Sequence, residues 1–291
     1  MPDIVIHVVA CALYAGLALH FWQTRWRVQS GRWRVPSAAS AAAAASSSTP
    51  PAAGLRPWER AAILVPLVLH GTLLYSELFA KSELRFGFAH ALSAMLWLAV
   101  LFYWLESFLY DLDALQAPVL ALAALAAPLP VLFPGHVGAA YAGSLEFRLH
   151  LLLAMLAYSL FTIALLHALL MAGVERRLHR KQGGQTGALP PLLTLERLLF
   201  RLIGAAFLLL TLTLATGFAF SETLFGRAMR FDHKTVFGVL SWLTFGLLLA
   251  GRQLYGWRGR TALRWTLSGF VLLLLAYIGS RFVLEVILGR S

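Results

Sequence analysis

The chain has 291 residues, 59% of them hydrophobic and only 13% charged, with a formal net charge of +11. That composition belongs to an all-α, polytopic membrane helix bundle and leaves no room for a separate soluble domain. A single cysteine, Cys11, also excludes a disulfide framework within the chain.

About 20 apolar residues rising about 1.5 Å each cross the hydrocarbon of a bilayer. Eight stretches qualify in chain order: Ile4–Trp22, Glu59–Leu78, Gly87–Leu109, Gln116–Phe133, Phe147–Gly173, Phe200–Phe220, His233–Gly251 and Thr261–Leu288. The fourth is the weakest, being Ala-rich and interrupted by Pro128 and Pro130. Between the first two spans, residues 36–55 form an Ala/Ser/Pro tract that reads as a flexible linker. The stretch from Gln182 to Pro191 is a second break. The whole of 1–291 therefore reads as one integral-membrane domain.

The positive charge is distributed in a way that speaks against nucleic acid as a partner. The loops at 23–59, 174–200 and 252–260, with the adjoining helix ends, hold 16 of the 24 Lys and Arg residues. Cytoplasmic loops carry such a bias, which predicts an N-out, C-out topology facing a lipid bilayer on all sides. The short loop Tyr110–Leu115 departs from the pattern, with Asp111 and Asp113 and no positive charge. The first apolar stretch lacks a preceding positive region and is followed by Arg25 and Arg27, so it reads as a retained span rather than a signal peptide.

On that topology His7, His90, His150 and His233 fall at the outer ends of spans one, three, five and seven. His136 lies in an outer loop, while His20, His167 and His179 lie toward the cytoplasm. A membrane-edge histidine is most commonly an interfacial hydrogen bonder, and His7 and His90 are read so. Near the middle of span two, His70 needs a partner inside the bundle, either a packing hydrogen bond or a ligand. Four imidazoles at one depth also suit a metal or haem site assembled from separate helices, since no local ligand spacing such as His-Glu-x-x-His occurs. Trp97 and Trp104, seven apart, share a helix face and are read first as packing residues. No carboxylate is placed at mid-span, which argues against a proton-coupled enzyme. In the last span Arg281 and Glu285 are four apart and can pair. Alternatively, Arg281 joins Arg148, Arg230 and Lys234 in offering positive charge to an anionic ligand near the outer surface.

Three segments carry a resemblance to a known family. Arg148-Leu149-His150 with Tyr158 is the first, and Phe231-Asp232-His233-Lys234 with Trp242 is the second. The third is Gly256-Trp257-Arg258-Gly259, followed by Gly269-Phe270 and Tyr277-Ile278-Gly279. Together these resemble the cytochrome c assembly membrane family, whose CcsA, CcmC and HemX members handle haem, and most of all its small YpjD-like inner-membrane branch. The likeness covers residues 147–288, the family-like core.

The resemblance implies a bacterial inner-membrane protein that binds haem b near its outer face without being an enzyme. His150 matches one axial ligand. The family's second outer histidine has no counterpart before the closing Gly289-Arg290-Ser291, and His233 stands where the family has proline. His233 is therefore assigned as the second iron ligand, with Arg148, Lys234 and Arg281 facing the propionates and Tyr158 and Trp242 lining the site. The family's Trp-rich presenting segment corresponds to Ser221–Phe231, which has no tryptophan. Direct attachment of haem to an apocytochrome is thus less expected than passing haem to, or supporting, another assembly protein. Having no Cys-x-x-Cys-His sequence, the chain is not itself a c-type cytochrome. The alternatives are a haem-free scaffold or regulatory subunit on the same fold and, with less support, a small-molecule transporter.

Overall fold

In hydrocarbon no water satisfies backbone N–H and C=O groups, so apolar stretches of this length must coil into helices. A computed structural model describes residues 2–26, 55–78, 85–110, 112, 114–137, 144–179, 192–225 and 233–287. All eight apolar stretches are helical there. The helices are α1 (Pro2–Phe21), α2 (Pro57–Leu78), α3 (Phe88–Glu106), α4 (Gln116–Ala126), α5 (Leu129–Leu132), α6 (Leu145–His179), α7 (Leu192–Phe225), α8 (His233–Tyr255) and α9 (Gly259–Leu274). Beyond α9 the last span continues through π turns at Leu275–Gly279 and Val283–Ile287. A two-residue antiparallel ladder, Arg85–Phe86 with His136–Val137, ties the loop before α3 to the loop after α5.

Six helices among the described residues are long and apolar enough to cross a membrane: α1, α3, α6, α7, α8 and α9 with its extension. Helix α2 spans 22 residues but carries Glu59, Arg60 and Glu77 near its ends. The fourth apolar stretch falls short, because Pro128 ends α4 after 11 residues and only the four-residue α5 follows. By contrast α6 and α7 have 35 and 34 residues, about 50 Å each at 1.5 Å per residue. That exceeds the roughly 30 Å hydrocarbon, so both are longer than a single straight crossing requires.

The helices form two packed groups. Helices α1–α4 enclose Tyr14, Phe21, Tyr103 and Leu120, and α6–α9 enclose Phe161, Leu199 and Phe245. Helix α3 lies between them, contacting both α4 and α6. At the centre of the second group Phe161 stacks on Phe245 at 3.8 Å between ring centroids. A Cβ on Gly269 would lie 2.8 Å from the Phe245 ring, so only glycine lets α9 approach α8 this closely. Ser241 donates to the Gly269 carbonyl at 2.9 Å across the same contact.

The α8–α9 turn explains the Gly-Trp-Arg-Gly segment. Gly256 and Gly259 adopt φ of 65° and 53°, the left-handed region that side chains with a Cβ disfavour. Between them Trp257 folds back over Gly251, its backbone N–H donating to the Gly251 carbonyl at 3.2 Å. Its ring stacks on Trp265 at 5.2 Å.

Gly269→Val should force Phe245 out of its rotamer and lower stability by about 1–3 kcal/mol, the usual cost of overpacking. Gly204→Ala, with no atom within 4 Å of the added carbon, should hold the thermal midpoint in detergent nearly constant. Equal midpoints for the two variants would contradict this account of the α8–α9 contact.

Candidate functional site

The up-and-down order brings the start of α6, the end of α7 and the start of α8 to one end of the bundle. His150, in the second turn of α6, points its Nδ1 at Thr216 Oγ1 on α7, 3.0 Å away. The absence of a side chain on Gly217 makes room for the ring, since a Cβ there would lie 3.3 Å from His150 Cε1. The proton of Thr216 is already committed to its own helix, with the Leu212 carbonyl at 2.9 Å and the Thr213 carbonyl at 3.0 Å. With that proton on α7 the hydroxyl oxygen accepts from the ring, which places the His150 proton on Nδ1. In the neutral imidazole this leaves Nε2 with a lone pair, the form that ligates a metal. A hydrogen bond that fixes tautomer and ring orientation is the usual support of a ligating histidine.

The remaining residues of this group are placed less uniformly. His233 and Lys234 open α8, His233 being exposed. Arg148 is exposed on the first turn of α6, and Arg281 is half-buried between the two π turns of the last span. Tyr158 is buried and donates its hydroxyl to the Leu273 carbonyl at 2.7 Å, tying α6 to α9. Trp242 donates its indole N–H to Thr211 Oγ1 at 2.9 Å and stacks on Phe207. Both side chains thus spend their polar groups on helix–helix ties. Arg230, Phe231, Asp232 and the Glu285 side chain lie outside the described residues.

The four histidines expected at one depth divide into separate groups. His7 and His90 converge instead on Glu77, at the end of α2. His7 Nδ1 donates to the Ala127 carbonyl at 2.7 Å, and its Nε2 lies 3.1 Å from Glu77 Oε1. His90 Nε2 lies 3.6 Å from the other carboxylate oxygen. The two imidazoles are 1% and 4% exposed and the carboxylate 15%. Deeper in α2, His70 has its expected partner in the bundle, Ser93 Oγ at 2.8 Å from Nε2. Glu77 was the residue that sequence reasoning passed over. The available signal is its position seven residues after His70, on the same face of α2.

At the basic end the carboxylates are matched to cations or imidazoles. Glu59 accepts from Arg25 at 2.6 Å with His20 at 3.5 Å, and Glu196 pairs with Arg252 and Arg258. Glu106 faces His167 at 3.6 Å between α3 and α6. Trp97 and Trp104 donate to the α2 carbonyls of Leu67 and Arg60, so they hold helices together as expected. No group of three or more His, Cys, Asp or Glu among the described residues has the geometry of a metal site.

A family model described as Cytochrome C assembly protein matches residues 58–288. The inner membrane protein YpjD of Escherichia coli (strain K12) is 36% identical over 138 residues, 47% of this chain and 52% of that protein. An uncharacterized 28.8 kDa protein in a nifR3-like 5′ region of Azospirillum brasilense is 37% identical over 164 residues, 56% and 58% of the two chains. The cytochrome c biogenesis protein CcsA of Trichormus variabilis is 33% identical over 86 residues, 30% and 24% of the two chains. The chain thus spans little more than half the length of the first relatives it matches. No solved structure matches.

Ser93→Ala should leave a His70 ring nitrogen unpaired in a fully buried position. The expected cost is about 1–3 kcal/mol, read as an earlier unfolding transition in detergent, whereas Ser93→Thr retains the hydroxyl and most of the stability.

Proposed function

Because the chain belongs to the cytochrome c assembly protein family, we propose that it is a multi-pass inner-membrane protein that binds haem b and passes it to, or supports, an assembly partner. On this reading the bundle crosses eight times, α4 and α5 together forming the shortest crossing, with both termini outward and the basic loops in the cytoplasm. The role is one of holding and delivery, without catalysis of its own.

The observation that carries the reading is the Thr216-fixed imidazole of His150. Haem, when bound, supplies an iron that accepts axial imidazoles and two propionates that accept positive charge. His150 offers an oriented Nε2, and His233 stands at the same end of the bundle to offer the second imidazole. Arg148, Lys234 and Arg281 place cationic groups around that end, where propionates would be neutralised. Tyr158 and Trp242 act behind this set by fixing α6 against α9 and α7 against α8.

A second reading, a haem-free scaffold on the same fold, draws on two features. His233 is exposed, and Tyr158 and Trp242 are both engaged in helix ties. Absorption spectra separate the two. Protein purified in detergent from haem-replete cells should show a Soret band, with low-spin bis-histidine features on reduction. His150→Ala should abolish it, and His233→Ala should convert the remaining signal to a high-spin form. Thr216→Val, which keeps the shape and removes the acceptor, should weaken haem retention about 10–100-fold. A wild-type protein without a Soret band establishes the scaffold reading, and unchanged haem in both histidine variants overturns the assigned ligands.

A further inference from the structure

The three side chains that meet at Glu77 cannot satisfy one another without an added proton. His7 Nδ1 faces a backbone carbonyl, which has no proton to give, so that nitrogen must be the donor. In the neutral ring Nε2 then bears only a lone pair, and it faces Glu77 Oε1 at 3.1 Å. An ionised carboxylate also bears only lone pairs. The contact becomes a hydrogen bond only when one proton lies between them, as imidazolium with carboxylate or as imidazole with carboxylic acid. In either form the pair is neutral, whereas without the proton it is a buried negative charge, which a membrane bundle disfavours.

We propose that Glu77, with His7 and His90, forms a proton-binding site that joins α1, α2 and α3 at one end of the bundle. Among the described residues the titratable groups facing Glu77 are His7 from α1 and His90 from α3, while the residue just after α4 contributes the Ala127 carbonyl. His70 lies on the Glu77 helix two turns away, about 10 Å along the axis, within electrostatic reach of His7. His70 extends the site inward. Its Nε2 meets Ser93, while its Nδ1 and the Tyr14 hydroxyl are buried without a hydrogen-bond partner among the described residues. The two rings meet edge to face at 5.8 Å. Loss of the proton sets a carboxylate against an imidazole lone pair and loosens the three-helix junction.

The contacts described at Glu77 do not involve His150, which bonds instead to Thr216. Infrared difference spectra of the detergent-purified full chain, recorded from about pH 5 to pH 9 in H₂O and D₂O, resolve protonated carboxyl and imidazolium bands separately. Above the background of the other histidines and Glu106, which the Glu77→Gln spectra carry too, one further band should be present at the acid end and disappear in a one-proton titration. Glu77→Gln should remove it, and His90→Gln should move its midpoint by about one pH unit, since a neighbouring titratable group is lost. A Glu77→Gln spectrum that superimposes on the wild-type spectrum at every pH overturns the proposal. Should Glu77→Gln fail to fold, His90→Gln decides alone: an unchanged midpoint overturns the site. A Soret band that is absent while the infrared band titrates would sink the haem reading and leave this one standing.

Discussion

A polar group carried into hydrocarbon by a helix has no water to fall back on, so it must find its partner on a neighbouring helix. That requirement organises the whole bundle. Ser241 reaches the Gly269 carbonyl, Tyr158 the Leu273 carbonyl and Trp97 the Leu67 carbonyl, each from a different helix. Each bond fixes the rotation of one helix against another, which apolar side chains facing equally apolar lipid cannot do. Where a pair of helices must come closer still, a small residue opens the way, as Gly269 does for Phe245.

The same constraint acts twice along α7. Thr211 and Thr216 both donate their single proton back into α7, to the Phe207 and Leu212 carbonyls. Their oxygens then act as acceptors, Thr211 for the indole of Trp242 and Thr216 for the imidazole of His150. One fixes α8 in place. The other fixes a ring whose remaining nitrogen is free to ligate. Support for the fold and orientation of an imidazole thus come from one device repeated on one helix.

Helix α3 connects the two halves of the molecule. Its first turn contributes His90 to the Glu77 junction, and its last residue, Glu106, faces His167 of the second group. The π turn at Leu275–Gly279 also packs against α3, with Tyr277 6.0 Å from the Phe86 ring. Such turns insert an extra residue into a helix and frequently occur at functional sites. Here the turn rotates Arg281 relative to Phe270 and so alters which face the end of the last span presents.

The sequence by itself determined the fold class, because apolar stretches of bilayer length leave the backbone no alternative to a helix. It also located the hairpin, since Gly256 and Gly259 adopt conformations that L side chains disfavour and Trp257 needs the bare surface of Gly251. The place of His150 near the start of a helix was legible from the Arg148-Leu149-His150 segment. What the sequence could not supply was which polar groups share a contact, because that depends on how separate helices are rotated and stacked. Only the tertiary structure divided the four outer histidines, sending His7 and His90 to Glu77 and His150 to Thr216. It also revealed that Glu77, near a helix end and undistinguished by any local motif, lies between two buried imidazoles. Partners 13 and 70 residues distant leave no periodic trace, so their meeting is written in the packing alone.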